Sequence, residues 1–121
     1  MQKHDLIFVY GTLMRGQANG LDLNPMARFV AEDFLSGSLY KLGWYPGFVP
    51  NDDGLVMGEV FEILDENLSS MLDAYEGYPW LFDREQIKTL DNRLVWVYIY
   101  QSDLPVDSKV PSGSWKEACD A

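Results

Sequence analysis

The sequence is poor in cysteine and histidine: its 121 residues include one of each, Cys119 and His4. A single cysteine cannot form an intramolecular disulfide, and cysteine-based metal sites need several thiolates. A serine or cysteine nucleophile with a histidine base would have to use His4, which precedes the first predicted strand. We therefore predict no metal site and look for catalytic groups among carboxylates and the backbone.

Basic residues are also scarce, with 9 Lys and Arg against 19 Asp and Glu and a formal net charge of −10. Nucleic acids and anionic membranes repel such a chain, so we expect neither as a partner. No stretch approaches the roughly 18 consecutive apolar residues of a membrane span. The start of the chain lacks the apolar run of a signal peptide, which predicts a cytoplasmic protein.

The length fits one domain, 1–121, with a partly irregular tail from about residue 103. Apolar, β-branched and aromatic runs predict strands at 6–10, 34–42, 55–64, 82–90 and 93–100, with a short one at most at 48–49. Hairpin turns are predicted at 51–54 and 91–92. The pattern is α+β, and closure of the mostly antiparallel sheet into a small mixed barrel, flanked by one to three helices, would protect its edges.

One helix is strongly indicated, from Glu66 to about Tyr75. Apolar residues at i, i+3, i+4 and i+7 form a stripe along it. Asp65 precedes it as a capping residue, and Gly77 is typical of a helix end. A shorter helix is predicted over 24–29, because Asn-Pro is a common helix start.

The first candidate site is the loop Tyr10, Gly11, Thr12 and Leu13, directly after the first strand. A tight turn at a glycine can aim consecutive backbone N–H groups at one point, where they bind a carboxylate or an oxyanion. The alternative is an ordinary strand exit in which Gly11 only supplies backbone freedom. A phosphate-binding loop is a poor fit because no Gly-Lys-Ser/Thr follows.

The second candidate is Glu76, at the carboxyl end of the predicted helix and the edge of its apolar stripe. The helix dipole and partial burial both disfavour a negative charge there, so a raised pKa is expected. A carboxylate in such a place is a candidate general base. The alternative is an exposed glutamate paired with Arg84. Asp73, on the polar face, is expected to be solvated.

The third candidate is an aromatic turn that contains Trp44, Tyr45 and Gly47, with Tyr40 before it. Tyrosine and tryptophan combine an apolar body with a polar tip, which suits the wall of a binding pocket. The same rings could equally plug one end of a barrel.

The order of these segments resembles the gamma-glutamylcyclotransferase-like family. The resemblance is carried by a strand ending in Tyr-Gly-Thr-Leu, by the Tyr-Pro-Gly turn at 45–47, and by Leu-Asp-x-Tyr-Glu-Gly-Tyr at 72–78 with Arg84 on the next strand. It covers about 6–100, and Ser-Gly-x-Trp at 112–115 is also similar. The specificity of the resemblance comes from the Tyr-Gly-Thr-Leu motif and the Tyr-Glu-Gly segment occurring together at this separation.

The resemblance implies a small mixed barrel with flanking helices that cyclises a gamma-glutamyl group to 5-oxoproline and releases an amino acid or amine. It implies that backbone amides of Tyr10–Leu13 hold the gamma-glutamyl moiety and that Glu76 is the catalytic acid/base. Tyr45 and Gly47 would line the pocket. Phe82 stands where many relatives carry tyrosine, which leaves the substrate's identity open. No substrate contact is assigned to Arg84.

The implied reaction joins two groups of one molecule and needs no cofactor or metal. Its substrate is a small anionic gamma-glutamyl compound, which a chain of this charge attracts only through local contacts. We expect a monomer. Two alternatives remain: a non-catalytic small-ligand binding module on the same fold, and an interaction protein that uses the acidic surface and the tail with Trp115.

Overall fold

The computed structural model describes residues 1–17 and 22–120. Residues 18–21 and 121, which the predicted domain also spans, lie outside the described part. The elements in chain order are β1 (Leu6–Val9), β2 (Ala27–Lys41), β3 (Pro46–Ile63), α1 (Asn67–Glu76), β4 (Phe82–Lys88), β5 (Leu94–Tyr100), β6 (Lys109–Val110) and α2 (Trp115–Asp120). Among the described residues, no helix is both long and apolar enough to cross a membrane.

The strands form one six-stranded sheet with the order β4-β5-β1-β3-β2-β6. The pair β1–β5 is parallel and the other pairs are antiparallel. The α+β class with a mostly antiparallel sheet is therefore confirmed. Within the described part, β4 and β6 are the two edges of the hydrogen-bonded ladder and do not pair with each other.

The sheet nevertheless curls toward closure. The Leu90 N–H, in the turn between β4 and β5, donates a hydrogen bond of 2.9 Å to the carbonyl of Phe34 on β2. In a flat sheet, β1 and β3 would separate β5 from β2 by roughly 14 Å at the usual strand spacing. A direct bond between them requires the sheet to bend around the apolar core.

The centre of the sheet is one long hairpin of β2 and β3, in which two predictions were wrong. The segment 24–29 is not a helix: it makes one turn, closed by the Ala27 N–H on the Leu23 carbonyl, and Phe29 then pairs with Phe61 on β3. The ladder overrides the Asn-Pro signal because cross-strand pairing with β3 begins at Ala27.

The predicted hairpin turn at 51–54 is also absent, since the chain turns between Lys41 and Pro46. The four residues 51–54 form a bulge instead, because Gly37 pairs with Pro50 and the next residue back, Ser36, pairs with Leu55. Asn51 makes the local turn that its type favours, accepting the Asp53 N–H at 2.8 Å, but it does so inside a strand.

Helix α1 forms close to the predicted bounds and presents Leu68 and Leu72 to the core. The Asp65 carboxylate accepts the N–H of Asn67 at 2.9 Å, as expected of a residue that caps a helix start. Gly77 ends the helix with φ 67°, a left-handed conformation that glycine adopts without a side-chain clash. This end fixes where Glu76 lies.

The tail packs onto the domain rather than extending from it. Strand β6 pairs with β2, and Trp115, at the start of α2, is 2% exposed. A side chain in the core cannot present itself to a partner, so Trp115 packs the domain and does not belong to an interaction surface, while a partner for the acidic surface stays a prediction.

Candidate active site

A cavity of about 170 Å³ opens at the carboxyl end of β1. Its walls come from the loop after β1, the turn before β3, the end of α1, the start of β4 and the middle of β5. It brings together six residues predicted for the site, which lie far apart in the chain: Tyr10, Gly11, Thr12, Leu13, Tyr45 and Glu76.

Gly47 is not part of the cavity wall. It lies in β3, where an added Cβ would come within 2.8 Å of Leu42 Cδ1 and 3.0 Å of Tyr100 Cβ. Its role in the structure is close packing, and Pro46 lines the cavity beside Tyr45 instead. The prediction for the aromatic turn thus holds for Tyr45 and does not hold for Gly47.

The loop after β1 is held on both sides. Gly11 lies against the Pro46 ring so closely that a Cβ would fall 2.6 Å from Pro46 Cδ. The Met14 N–H donates to the Gly11 carbonyl at 3.0 Å and closes a turn. Across the cavity, the hydroxyls of Thr12 and Tyr75 are 2.9 Å apart and hydrogen-bonded. The loop is therefore tied to the turn before β3 and to α1.

The N–H groups of Gly11, Thr12 and Leu13 donate to no acceptor within the described residues. Three successive donors with no partner, next to a cavity, can bind an anionic group without a charged side chain. Among the described residues that line this cavity there is no lysine, arginine or histidine. An anion that enters would therefore be recognised by backbone dipoles.

Glu76 is the only carboxylate among the described lining residues, and no described residue forms an ion pair or hydrogen bond with its side chain. Burial raises its pKa from 4.5 to about 7, because an ionised carboxylate loses hydration there without gaining a partner. A carboxylate with a pKa near neutrality both accepts and returns protons readily, as a general acid/base must.

The alternative pairing of Glu76 with Arg84 does not occur. Arg84 instead lies 3.5 Å from an oxygen of Asp73 and packs against the ring of Tyr78, with 4.6 Å between the guanidinium carbon and the ring centre. Asp73, expected to be solvated, has a side chain only 23% exposed. It also accepts the hydroxyl of Tyr98 at 2.7 Å. The solvated interpretation of Asp73 was therefore wrong.

Tyr98 is a cavity residue that no sequence pattern singled out above. Its hydroxyl bonds Asp73 on α1, and its carbonyl accepts the hydroxyl of Tyr10 at 2.7 Å. Burial, reinforced by Asp73, raises the pKa of the Tyr98 phenol. Burial also raises the pKa of the Tyr10 phenol, and the nearby Glu76 charge adds to this. Both phenols stay protonated, and they link β1, β5 and α1 around the cavity.

Strand periodicity offered a signal for Tyr98, because it shares one face of β5 with Trp96 and Tyr100. Phe82 also lines the cavity, buried and edge-on to the Tyr100 ring at 5.4 Å between centres. Among the side chains that the structure describes, those of residues 1–17 and 22–118, no group of three or more His, Cys, Asp or Glu is arranged to hold a metal ion.

Several known proteins are similar to this chain over most of its length. The chain is 34% identical over 112 residues to the gamma-glutamylcyclotransferase family protein YtfP of Escherichia coli K12, covering 90% of this chain and 94% of that one. It is 31% identical over 121 residues to the gamma-L-glutamyl-butirosin B gamma-glutamyl cyclotransferase of Niallia circulans, covering 92% and 75%.

The crystal structure of a mouse AIG2-like protein superposes with a TM-score of 0.72 at 28% identity, covering 86% of this chain and 82% of that one. Residues 7–117 match the family described as gamma-glutamyl cyclotransferase, AIG2-like, a match that includes every residue lining the cavity. The fold and the matched length lead to one conclusion: the chain belongs to the AIG2-like gamma-glutamyl cyclotransferase family.

Proposed function

We propose that the protein is a cofactor-independent gamma-glutamyl cyclotransferase that converts a gamma-glutamyl amino acid or amine to 5-oxoproline and the free amine. The observation that carries this proposal is the pairing, within one cavity, of three successive backbone donors with a carboxylate of raised pKa that has no partner among the described residues. The name of the Niallia circulans relative, which specifies a gamma-glutamyl compound, supports the substrate class.

The reaction joins two ends of one substrate. Glu76 takes a proton from the substrate's α-ammonium group, and the resulting amine attacks the carbonyl carbon of the side-chain amide. A new C–N bond closes the five-membered ring as the original amide C–N bond breaks. Glu76, now protonated, gives the proton to the leaving nitrogen. The ring nitrogen loses its second proton as the lactam forms, and the released amine takes up that proton to become an ammonium group. The atoms balance without water or a second substrate.

The N–H groups of Gly11, Thr12 and Leu13 supply the electrostatic part. They bind the substrate's α-carboxylate or the carbonyl oxygen that becomes negative during ring closure. Holding the substrate folded back on itself contributes up to roughly 7–11 kcal/mol to lowering the barrier. Proton transfer through Glu76 contributes a further factor of about 10²–10⁴.

The test is release of 5-oxoproline from a panel of gamma-glutamyl amino acids, gamma-glutamyl amines and glutathione, with wild type and Glu76→Gln compared. The matched control is Glu85→Gln, which changes an exposed glutamate on β4. We expect release by the wild type and by the control, and none above background from Glu76→Gln. Undiminished turnover in Glu76→Gln would remove Glu76 from the proposed role.

A protein that releases no 5-oxoproline from the whole panel would contradict the enzymatic proposal. If 5-oxoproline or a gamma-glutamyl compound then raises its melting temperature, the non-catalytic binding module becomes the better account, because the cavity and its backbone donors would still be in use.

A further inference from the structure

Glu59 is a buried carboxylate that lies outside the cavity. It lies on β3, paired with Val9 on β1 and with Glu32 on β2, and it is 2% exposed. It does not line the cavity described above. Burying a carboxylate costs free energy unless its oxygens are well partnered, and an apolar residue of similar size is often as good for stability. The position of Glu59 therefore calls for a specific reason.

Both oxygens of Glu59 bind one residue, Arg15. Oε1 accepts the backbone N–H of Arg15 at 2.8 Å, and Oε2 accepts its Nε at 3.2 Å. The guanidinium of Arg15 also stacks on the ring of Phe29, 3.5 Å from the ring centre. Lys116 of α2 is a more distant partner, with Nζ 4.0 Å from Oε2. The carboxylate is thus anchored chiefly to the chain at Arg15.

Arg15 stands two residues after Leu13, the last of the three backbone donors that have no acceptor among the described residues. The turn that carries these donors is closed by the Met14 N–H on the Gly11 carbonyl, and the next N–H along the chain is the one bound by Glu59. At its other end the loop continues from β1 and lies against Pro46. Glu59 therefore anchors the chain directly after the segment Gly11–Leu13, which we call the donor loop.

We propose that Glu59 is a positioning residue for substrate binding: it holds the Gly11–Leu13 loop so that its N–H groups converge on the cavity. An apolar residue could fill the same volume, but it could not accept the Arg15 N–H. Backbone donors bind an anion well only if they are already in place, since ordering them on binding reduces affinity. This inference rests on the proposed function for the identity of the ligand, but not for the effect on the loop.

The kinetic test compares Glu59→Gln, Glu59→Leu and Lys116→Met. For Glu59→Leu we expect KM to rise roughly 10-fold with kcat close to wild type, because this inference assigns the Gly11–Leu13 donors to the substrate's α-carboxylate, a contact that is equal in the ground and transition states. Glu59→Gln keeps an oxygen for the Arg15 N–H, so its KM should lie between those of wild type and Glu59→Leu. Lys116→Met removes a partner of the same carboxylate but leaves both hydrogen bonds between Glu59 and Arg15 in place, so its KM should not change.

The pH profile of kcat separates positioning from chemistry. Glu76 is untouched in these variants, so the profile should keep its wild-type shape. A fall in kcat at unchanged KM, or a shifted profile, would overturn the inference. Because Glu59→Leu is the variant more exposed to misfolding, Glu59→Gln, which preserves the volume of the side chain, carries the test if Glu59→Leu is unfolded.

Amide hydrogen exchange at Met14 supplies a readout that needs no activity. The Met14 N–H bonds the Gly11 carbonyl, and its acceptor is retained in every variant, so faster exchange in Glu59→Leu reports a loosened donor loop. The Kd for 5-oxoproline, used as the probe ligand, should rise in parallel with KM. An unchanged Met14 exchange rate in both Glu59 variants would overturn the inference, whereas an inactive wild type would contradict only the proposed reaction.

Discussion

Two regions of the molecule treat a carboxylate in opposite ways. Asp33, on β2, is 2% exposed and surrounded by donors: Arg93 Nη1 at 2.9 Å and the backbone N–H groups of Phe34 and Asp91 at 2.7 and 3.3 Å. Burial alone would raise the pKa of Asp33, but hydrogen bonds from Thr89, Phe34, Arg93 and Asp91 hold it below its ordinary value.

Glu76 is also desolvated but has no such donors among the described residues, and its pKa rises to about 7. The difference teaches that burial does not by itself mark a functional carboxylate. Asp33 ties the β4–β5 turn to β2 and is stabilised as a permanent anion. Glu76 faces a cavity and has a pKa near neutrality, so neither its ionised nor its protonated form is strongly favoured. This suits a group that must change its protonation state during a reaction.

The largest expected effect is on kcat, which should fall when Glu76 is changed and stay the same when Asp33 is changed. Glu76→Gln should lower kcat by about 10²–10⁴-fold, because the amide can neither take nor return the proton. Asp33→Asn should leave kcat near the wild-type value, because Asp33 is no part of the cavity wall. Steady-state release of 5-oxoproline from the best substrate measures both. Equal losses in the two variants would break the comparison.

The second effect is on the free energy of unfolding, and here the change at Asp33 should be the harmful one. Asp33→Asn should lower the free energy of unfolding by about 2 kcal/mol at neutral pH, since it weakens charge-assisted bonds from Arg93 and two backbone groups. The lowered pKa means that this stabilisation is complete above the ordinary value of 3.8 and is lost as the pH falls toward the folded-state pKa. Urea denaturation at pH 7 and pH 3 checks it, and an equal deficit at both would contradict the account.

The sequence was sufficient for the parts of this comparison that depend on local signals. The stripe and the Gly77 stop predicted α1, and with it the place of Glu76, because a helix end depends on a few neighbouring residues. The loop after β1 was predicted from its glycine and the strand before it. The environment of Asp33 was not predicted, because all of its partners except the neighbouring Phe34 come from a hairpin 56–60 residues away in the chain.

Contacts between residues far apart in the chain also account for two predictions that were wrong. Asp73 was expected to be solvated from its helix face alone, but β5 brings Tyr98 to it across 25 residues of sequence. The turn at 51–54 has the residues of a hairpin, yet the ladder continues past it to a turn at 42–45. The turn-forming tendency of Asn51 was identified correctly, whereas the strand pairing that places this turn inside β3 was not predicted.

The third prediction concerns the pH dependence of stability around Glu76. A carboxyl whose pKa is 4.5 when unfolded and about 7 when folded destabilises the protein as pH rises from 4.5 to 7, because the folded state holds the proton more tightly. Glu76→Gln removes this loss and should be more stable than wild type by about 1–2 kcal/mol at pH 8, a figure reduced for partial exposure. At pH 4 the two should coincide.

Urea denaturation at pH 4 and pH 8 measures this difference, with Glu85→Gln as the exposed control that should show no such gain. A Glu76→Gln variant that is less stable than wild type at pH 8 would show that the carboxylate is partnered after all, and the contrast with Asp33 would then disappear.

The smallest expected effect comes from Tyr98→Phe, which tests whether Asp73 belongs with Asp33 or with Glu76. The Tyr98 hydroxyl donates to Asp73 at 2.7 Å, and Arg84 lies 3.5 Å from the same oxygen, so Asp73 has the partners of a structural carboxylate. Removing the hydroxyl should cost about 1 kcal/mol of stability. Because Asp73 and Glu76 are three residues apart on α1, the same loss should lower kcat only a fewfold, by loosening the helix end rather than by removing a reacting group. A fall in kcat comparable to that of Glu76→Gln would show that the Tyr98 hydroxyl takes part in the reaction and is not only structural.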